Sequence, residues 1–461
     1  MRSSPTPPTE VADDPAELRS AVAKFFRRAM PLLVVMLVIN QMDRTNIGFV
    51  QKHLEADLGI GAAAYGLGAG LFFIAYAIFE VPSNMLLERF GARVWLARIM
   101  VSWGVVTFAM AFVTGPTSFY IGRFLLGVAE AGFFPGVMFY LTRWLPDRYR
   151  GRAVAIFLGG SSTAYILTGP ISGGLLELDG VAGVAGWKWM FVVQGVASVL
   201  VGFYALIKLV SKVDDARWLS AGEKQALAAA VAADDVRRTN SAGSATVSKI
   251  RLALQPQVLL LCLIFFAMTL NGYAVTFWLP SIVDKIGDLS DFSIGLISAV
   301  PWIFALVAML LLGRYTDRTG VRRPWVPVMM LLAAVSTFVS TLGTPILGVV
   351  MIGVAAVAFK CAASQFWPIA QQAMPLSVVA AGIALINSLG NLGGFVAPTA
   401  FGLIEENTGS TDLAMYGLSI ASVLAAGLCL LIRAVPRAEA GEGLPATPAT
   451  TPAAAPQSGA S

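Results

Sequence analysis

A chain of 461 residues that is 57% hydrophobic and 13% charged, with a net charge of +5, falls far short of the roughly 25% charged residues of an ordinary soluble domain. Its mean hydropathy of +0.73 excludes a soluble globular protein and points to an integral membrane protein. The basic balance, an isoelectric point near 9.1, implies no nucleic-acid partner, because the excess Lys and Arg lie between apolar runs on one side.

Residues 1–20 are polar and acidic, and no small-residue cleavage site precedes the first long apolar run, so residues 1–28 read as a cytoplasmic segment. Six apolar runs follow near 29–50, 62–87, 95–114, 117–141, 153–176 and 187–210. Six more lie near 257–280, 293–313, 325–343, 346–368, 378–403 and 413–433. Each approaches the 20 or so residues that a hydrocarbon core of roughly 30 Å needs at 1.5 Å per residue. The expected fold is an all-α membrane protein, with twelve transmembrane helices in two pseudo-symmetric six-helix bundles, residues 29–211 and 257–433. In the polar loop between them, residues 212–256, Ser220 and Glu223 have the spacing of a capping box and predict a surface helix to about Val236. Residues 240–248 have the composition of a flexible linker, and the tail, 434–461, has no periodicity and is expected to be disordered.

With the N-terminus inside, Lys24, Arg27, Arg28, Arg89, Arg93, Arg143, Arg148, Arg150, Arg152, Arg314, Arg318, Arg322, Arg323 and Arg433 fall on the cytoplasmic side. The outer loops keep Lys52, Lys188 and Lys285. This bias places both termini in the cytoplasm. His53, the only histidine, sits in the first outer loop and reads as a solvated surface residue. Cys262, Cys361 and Cys429 lie in apolar runs without a metal or disulfide spacing and read as packing residues.

The loop after the second run of each half repeats. NMLLERFGAR, residues 84–93, aligns with GRYTDRTGVR, residues 313–322. Each copy sets an acid at a helix end beside arginines and a turn glycine, which suits a breakable lock between helices built from Glu88, Arg89, Asp317 and Arg318. Two further clusters are intramembrane. Asn40, Asp43 and Arg44 share a helical face in the first run, as do Arg123, Gly127 and Glu130 in the fourth. Such charges cost about 2.5–3.5 kcal/mol each at a helix centre, so they are expected to turn toward a cavity between the halves. A static ion-pair network is the alternative, but buried pairs add little stability over apolar packing.

With these motifs in view, the chain resembles the anion:cation symporter family of the major facilitator superfamily, whose bacterial members carry galactonate, tartrate, phthalate and related organic anions with protons. The matching stretches are MDRTNIGF, FEVPSNMLLERFGAR, GRFLLGVAEAGFFPG, QFWPIA and AGIALINSLGNLGGFVAP. The resemblance implies that Arg44 contacts the substrate carboxylate, that Asp43 and Glu130 take up protons with Arg123 beside them, and that Asn391 hydrogen-bonds the substrate from the second half. Tyr76 falls at a position that relatives use for binding. Gln41 and Ser161 stand where some sugar-acid carriers have other polar residues. Trp367 and Asn387, within the matching stretches, complete the candidate binding set. The chemistry agrees: a guanidinium grips carboxylate as a planar fork, and two carboxylates beside it compete with the substrate until protonated.

Asn271 and Tyr273 in the seventh run are candidate cavity residues, with bonding between helices as the alternative. Lys360, about 21 Å into the tenth run at 1.5 Å per residue, either snorkels to the cytoplasmic headgroups or turns into the cavity opposite Arg44 as a second cation. GPISGG, residues 169–174, resembles a motif often associated with antiporters, although a Gly-Pro bend is also compatible with symport. Gly390 and Gly394 form a G-x-x-x-G suited to close helix packing. The function expected is proton-coupled uptake of a small organic anion by a monomer in a bacterial inner membrane, with proton, anion and lipid as partners and no cofactor, metal or nucleic acid. An antiporter or exporter of the same fold is the alternative. A sensor or a membrane-embedded enzyme is disfavoured by the carboxylate-arginine cluster and by the lack of a nucleophile-His pair.

Overall fold

The computed structural model describes residues 14–241, 255–374 and 379–432. Most of the expected linker, and the tail with Arg433, lie outside them. The first half contains α1 (Ala16–Arg28), α2 (Met30–Thr45), a 3₁₀ turn (Asn46–Phe49), α3 (Gln51–Leu58), α4 (Ala62–Phe90), α5 (Ala92–Met110), α6 (Pro116–Glu130), α7 (Phe133–Trp144), α8 (Asp147–Leu176) and α9 (Gly186–Lys208). After α10 (Ala221–Ser241) come α11 (Pro256–Asp284), α12 (Asp291–Thr319), α13 (Trp325–Val339), α14 (Pro345–Gln372), α15 (Val379–Asn391), α16 (Gly393–Thr408) and α17 (Asp412–Cys429). Within the described residues, every expected run is largely helical. The fourth is split into α6 and α7, and the eleventh into α15 and α16.

The capping box is present: Ser220 N–H donates to Glu223 at 2.8 Å, and Glu223 N–H donates to Ser220 Oγ at 3.2 Å. The same Glu223 receives Ser20 Oγ at 2.5 Å and Lys24 Nζ at 2.6 Å. These donors, Lys24 foremost, hold its carboxyl down at about 2. α1 is thereby clamped to α10, and Phe25 stacks on Trp144, which stacks on Trp218. The N-terminal segment thus carries an amphipathic helix that packs on α10 and on the start of α2.

The halves meet along two seams, α4 against α16 and α8 against α12. The residues of GPISGG lie in the second. A Cβ on Gly169 would come within 2.2 Å of the Gly295 carbonyl across the seam, so this stretch brings two helix backbones together. A cluster of hydrogen bonds and ion pairs joins the halves at one end. Lys52 pairs with Asp284 at 3.0 Å, Gln51 reaches Glu405 at 3.3 Å, Ala63 N–H donates to Glu406 at 2.8 Å, and Phe292 N–H donates to Glu177 at 3.1 Å. At the opposite, basic end Glu88, Arg89, Asp317 and Arg318 are exposed, and Asp317 pairs with Arg322 of its own loop. Among the described residues no ion pair joins these four across helices, so the expected interhelical lock is not engaged. The two loops do share their turn chemistry, with Gly91 and Gly320 at φ 84° and 70°.

His53 departs from the solvated reading: it is half-buried and bonds Asp291 across the seam at 3.2 Å. That bond, with Asp57 and Asp179 nearby, raises its pKa above the ordinary value. The sign follows directly. Stabilisation of the closed seam is complete below the free value of about 6.5 and is lost as pH rises through the raised folded value. Spin labels at exposed Glu55 and Asp288 should therefore give a broader distance distribution at about pH 9 than at about pH 6, and His53→Gln should remove that difference. A pH-independent wild type would count against the titration.

Candidate functional site

The α-helix of the first span ends just after its two charges. Thr45 turns its hydroxyl back to Gln41 O at 2.9 Å and across to Thr168 Oγ1 at 3.0 Å, and the chain enters the 3₁₀ turn. Asp43 and Arg44 thus occupy the last turn of α2. Adjacent residues differ by about 100° around a helix, so the two side chains diverge. Asp43 is 2% exposed, accepting from Thr107 Oγ1 at 2.6 Å on α5 and from Asn46 Nδ2 at 3.2 Å. Arg44 points the other way and pairs through Nε with Glu130 Oε1.

Glu130 is placed there by the break in the fourth span. α6 ends at Ala131, and Gly132 takes φ 87°, a left-handed conformation that glycine adopts without penalty. The Ala131 carbonyl freed by the break accepts from Ser83 Oγ at 2.6 Å, and Ser83 in turn receives Trp95 Nε1 at 3.0 Å. Broken backbone inside a membrane is tolerated where such partners satisfy it. Glu130 is fully buried, with the Asn40 amide beside its carboxylate.

Around Arg44 the walls are aromatic. Its Cζ lies 4.6 Å from the Tyr76 ring centroid and 5.3 Å from that of Phe72. Tyr273 of α11 stands within electrostatic reach of the guanidinium, and its ring packs 4.5 Å from Phe73. The site therefore lies where the two halves face each other. Arg123 is 1% exposed with its Cζ 5.2 Å from the far-reaching ring of Phe72, and its Nε has no partner. Asp43, Arg123 and Glu130 are all buried, and Arg44 is the most accessible of the four expected charges.

Gln41 Nε2 donates to Ser161 Oγ at 3.2 Å, joining α2 to α8. Asn387 and Asn391 are half-buried; Asn391 closes α15 one turn before Gly394, where a Cβ would meet the Phe73 ring at 2.7 Å. Gly390 instead packs on Phe265. Trp367 also packs on Phe265, with centroids 4.7 Å apart, inside the second bundle. Asn271 is not a cavity residue. It is 1% exposed, donates to Ala267 O at 2.9 Å and accepts from Ser422 of α17 at 3.0 Å, which makes it a bond between neighbouring helices. Two positions on, Tyr273 faces the other half.

Lys360 does not snorkel. Its Nζ stands 4.0 Å from the ring centroid of Tyr165 on the opposite half and 5.6 Å from that of Trp302. Among the described residues no carboxylate lies within ion-pair distance of it. Tyr165, Phe72, Thr107 and Trp302 were absent from the sequence-derived set. Two of them carried a signal, since Phe72 is one turn from Tyr76 and Tyr165 one turn from Ser161.

Two helical bundles facing each other across a polar, charged seam within apolar spans define a membrane transporter of the alternating-access class. The model of the Major Facilitator Superfamily matches residues 33–398 and again 288–454, and the chain belongs to that superfamily. It is 41% identical over 404 residues to a quinolone resistance transporter of Acinetobacter baumannii, covering 87% of this chain and 92% of that protein. It is 39% identical over 414 residues to a protein of Agrobacterium vitis named "Putative tartrate transporter", covering 89% and 91%. In fold it is similar to a bacterial homolog of the human lysosomal transporter Spinster in an inward-facing, occupied conformation, with a TM-score of 0.71 at 17% identity over 91% of this chain and 97% of that one. These relatives are transporters, in keeping with the expectation of a non-enzyme.

Proposed function

We propose that the chain imports a small organic anion across a bacterial inner membrane by proton symport, as a monomer with both termini in the cytoplasm. The observation that carries this reading is the Arg44–Glu130 pair at the seam between the halves. Glu130 occupies the Nε edge of the guanidinium, and the terminal nitrogens make no ion pair with another described carboxylate. A substrate carboxylate and Glu130 compete for the same cation, so a proton on Glu130 Oε2 frees Arg44 for the substrate, and its release restores the pair. Asp43, held by Thr107 and Asn46, is a second proton site. Tyr76, Gln41, Ser161, Asn387 and Asn391 supply the polar contacts that orient the anion. With the basic end in the cytoplasm, the conformation described is closed outward and open inward, and the Glu88–Arg89 and Asp317–Arg318 loops are gates that meet in the opposite state.

Counterflow in proteoliposomes tests transport. Uptake driven by an inward proton gradient, screened over aliphatic, aromatic and sugar acids, tests symport. No gradient dependence for any acid that shows counterflow would overturn the coupling. The name of the Acinetobacter baumannii relative favours a second reading, an exporter or antiporter on this fold. That reading expects a proton gradient to drive substrate out of inside-out vesicles rather than into right-side-out ones.

Lys360 refines the substrate class. A buried cation without a counter-ion favours an anion beside it, and with Arg44 on the facing half it suits a second carboxylate or another polar end. Lys360→Gln should weaken a dicarboxylate roughly tenfold, the scale of one charged hydrogen bond, and leave a matched monocarboxylate almost unchanged. Equal losses for both, in a binding series at fixed pH, would remove Lys360 from the site.

A further inference from the structure

At the basic end of the first half, away from the seam, the outer faces of α2, α5 and α9 enclose a groove with a volume of about 1460 Å³. Six cations line its mouth: Arg27, Arg28, Arg93, Lys208, Arg217 and Lys224. Arg93 and Lys208 sit at the ends of spans and Arg27 and Arg28 just before the first, where the hydrocarbon core gives way to headgroups. Asp214 and Asp215 also stand at the rim, so the lining remains strongly positive. None of the six pairs with a carboxylate among the described residues. Lys224 and Arg93 instead donate to the backbone carbonyls of Asp214 and Leu206, each at 2.6 Å. Below the cations the floor is apolar and exposed, with Val35 at 45%, Val94 at 48% and Ile207 at 71%. The roof is held by Trp218, stacked on Trp144 with centroids 5.5 Å apart and lying 5.9 Å from the Arg28 guanidinium.

We propose that this groove is a binding site for an anionic phospholipid, its phosphate on Arg28 and Arg217 and its acyl chains along Val35 and Ile207. The two layers match the two parts of that ligand and of no simpler one. A soluble phosphate has no use for an apolar floor, and a neutral lipid has none for six unpaired cations. Each cation near an anionic headgroup contributes about a fivefold preference. The aromatic stack from Phe25 through Trp144 to Trp218 fixes the roof to the bundle, so the site is built into the fold. It also joins the lipid to α1 and α10, the two elements clamped by Lys24 and Glu223.

The test uses the purified full chain in neutral detergent, titrated with short-chain phosphatidylglycerol, short-chain phosphatidylcholine or inorganic phosphate, with thermal stability and lipid retention by native mass spectrometry as readouts. Phosphatidylglycerol should stabilise and be retained, whereas phosphatidylcholine and phosphate should do neither. Arg28→Gln combined with Arg217→Gln should lower selective retention roughly thirtyfold, at about fivefold per cation. Arg314→Gln combined with Arg323→Gln, which removes two charges from the same end of the other half, should leave it intact. Should the first double variant fail to fold, Val35→Ser with Ile207→Ser on the lipid-facing floor serves instead and should weaken phosphatidylglycerol retention. Equal stabilisation by phosphate, equal retention of phosphatidylcholine, or equal loss in the Arg314 and Arg323 variant would each overturn the site.

Discussion

Arg44→Lys should lose most binding of the transported anion while keeping the positive charge. The guanidinium is held flat, with Tyr76 and Phe72 ring centroids 4.6 Å and 5.3 Å from its Cζ and Glu130 on its Nε edge. A guanidinium can offer a carboxylate two parallel N–H donors. An ammonium is a compact point charge without that fork, and it stacks less well on aromatic faces. Losing one arm of a charge-assisted pair together with part of the stacking amounts to about 3 kcal/mol, or roughly a hundredfold in affinity. Equilibrium binding on purified protein measures it directly. An affinity near that of the wild type would show that charge alone suffices and would remove Arg44 from substrate contact.

The second large effect separates binding from coupling. Glu130→Gln is nearly isosteric and should leave the fold intact, because the Gln amide can still sit beside Arg44 and Asn40. It removes the competitor for the guanidinium, so anion binding should become stronger at alkaline pH and less dependent on pH. Substrate-driven counterflow should persist, since exchange needs no net proton movement. Uphill accumulation driven by a pH gradient should disappear, because no proton then displaces a carboxylate from Arg44 in each cycle. If accumulation survives in this variant, Glu130 is not the essential carrier, and Asp43, bonded to Thr107 at 2.6 Å, becomes the residue to test.

The sequence alone determined what depends on local physics. Twelve apolar runs long enough to cross a bilayer have one solution, helices, because unpaired backbone polar groups cannot face lipid. The capping box at Ser220, the split into two sixes and the turn glycines of the repeated loops were legible for the same reason. The expense of charge in hydrocarbon singled out Asp43, Arg44, Arg123 and Glu130 before any contact was known. What periodicity cannot supply is the rotation of each helix against its neighbours. Asp43 and Arg44 are adjacent, yet the packing of α2 sends one toward Thr107 and the other toward the seam. Asn271 and Tyr273 lie two residues apart, and the docking of α17 turns the first into a bond between helices while the second faces the opposite half. His53 reads as solvated until Asp291 is brought to it from 238 positions away. Lys360 had two routes of comparable cost, and the ring of Tyr165 across the seam decided between them. Composition and spacing set which groups must be buried or must face a cavity; only the tertiary structure, by choosing each helix's neighbours, decided which partner each of them meets.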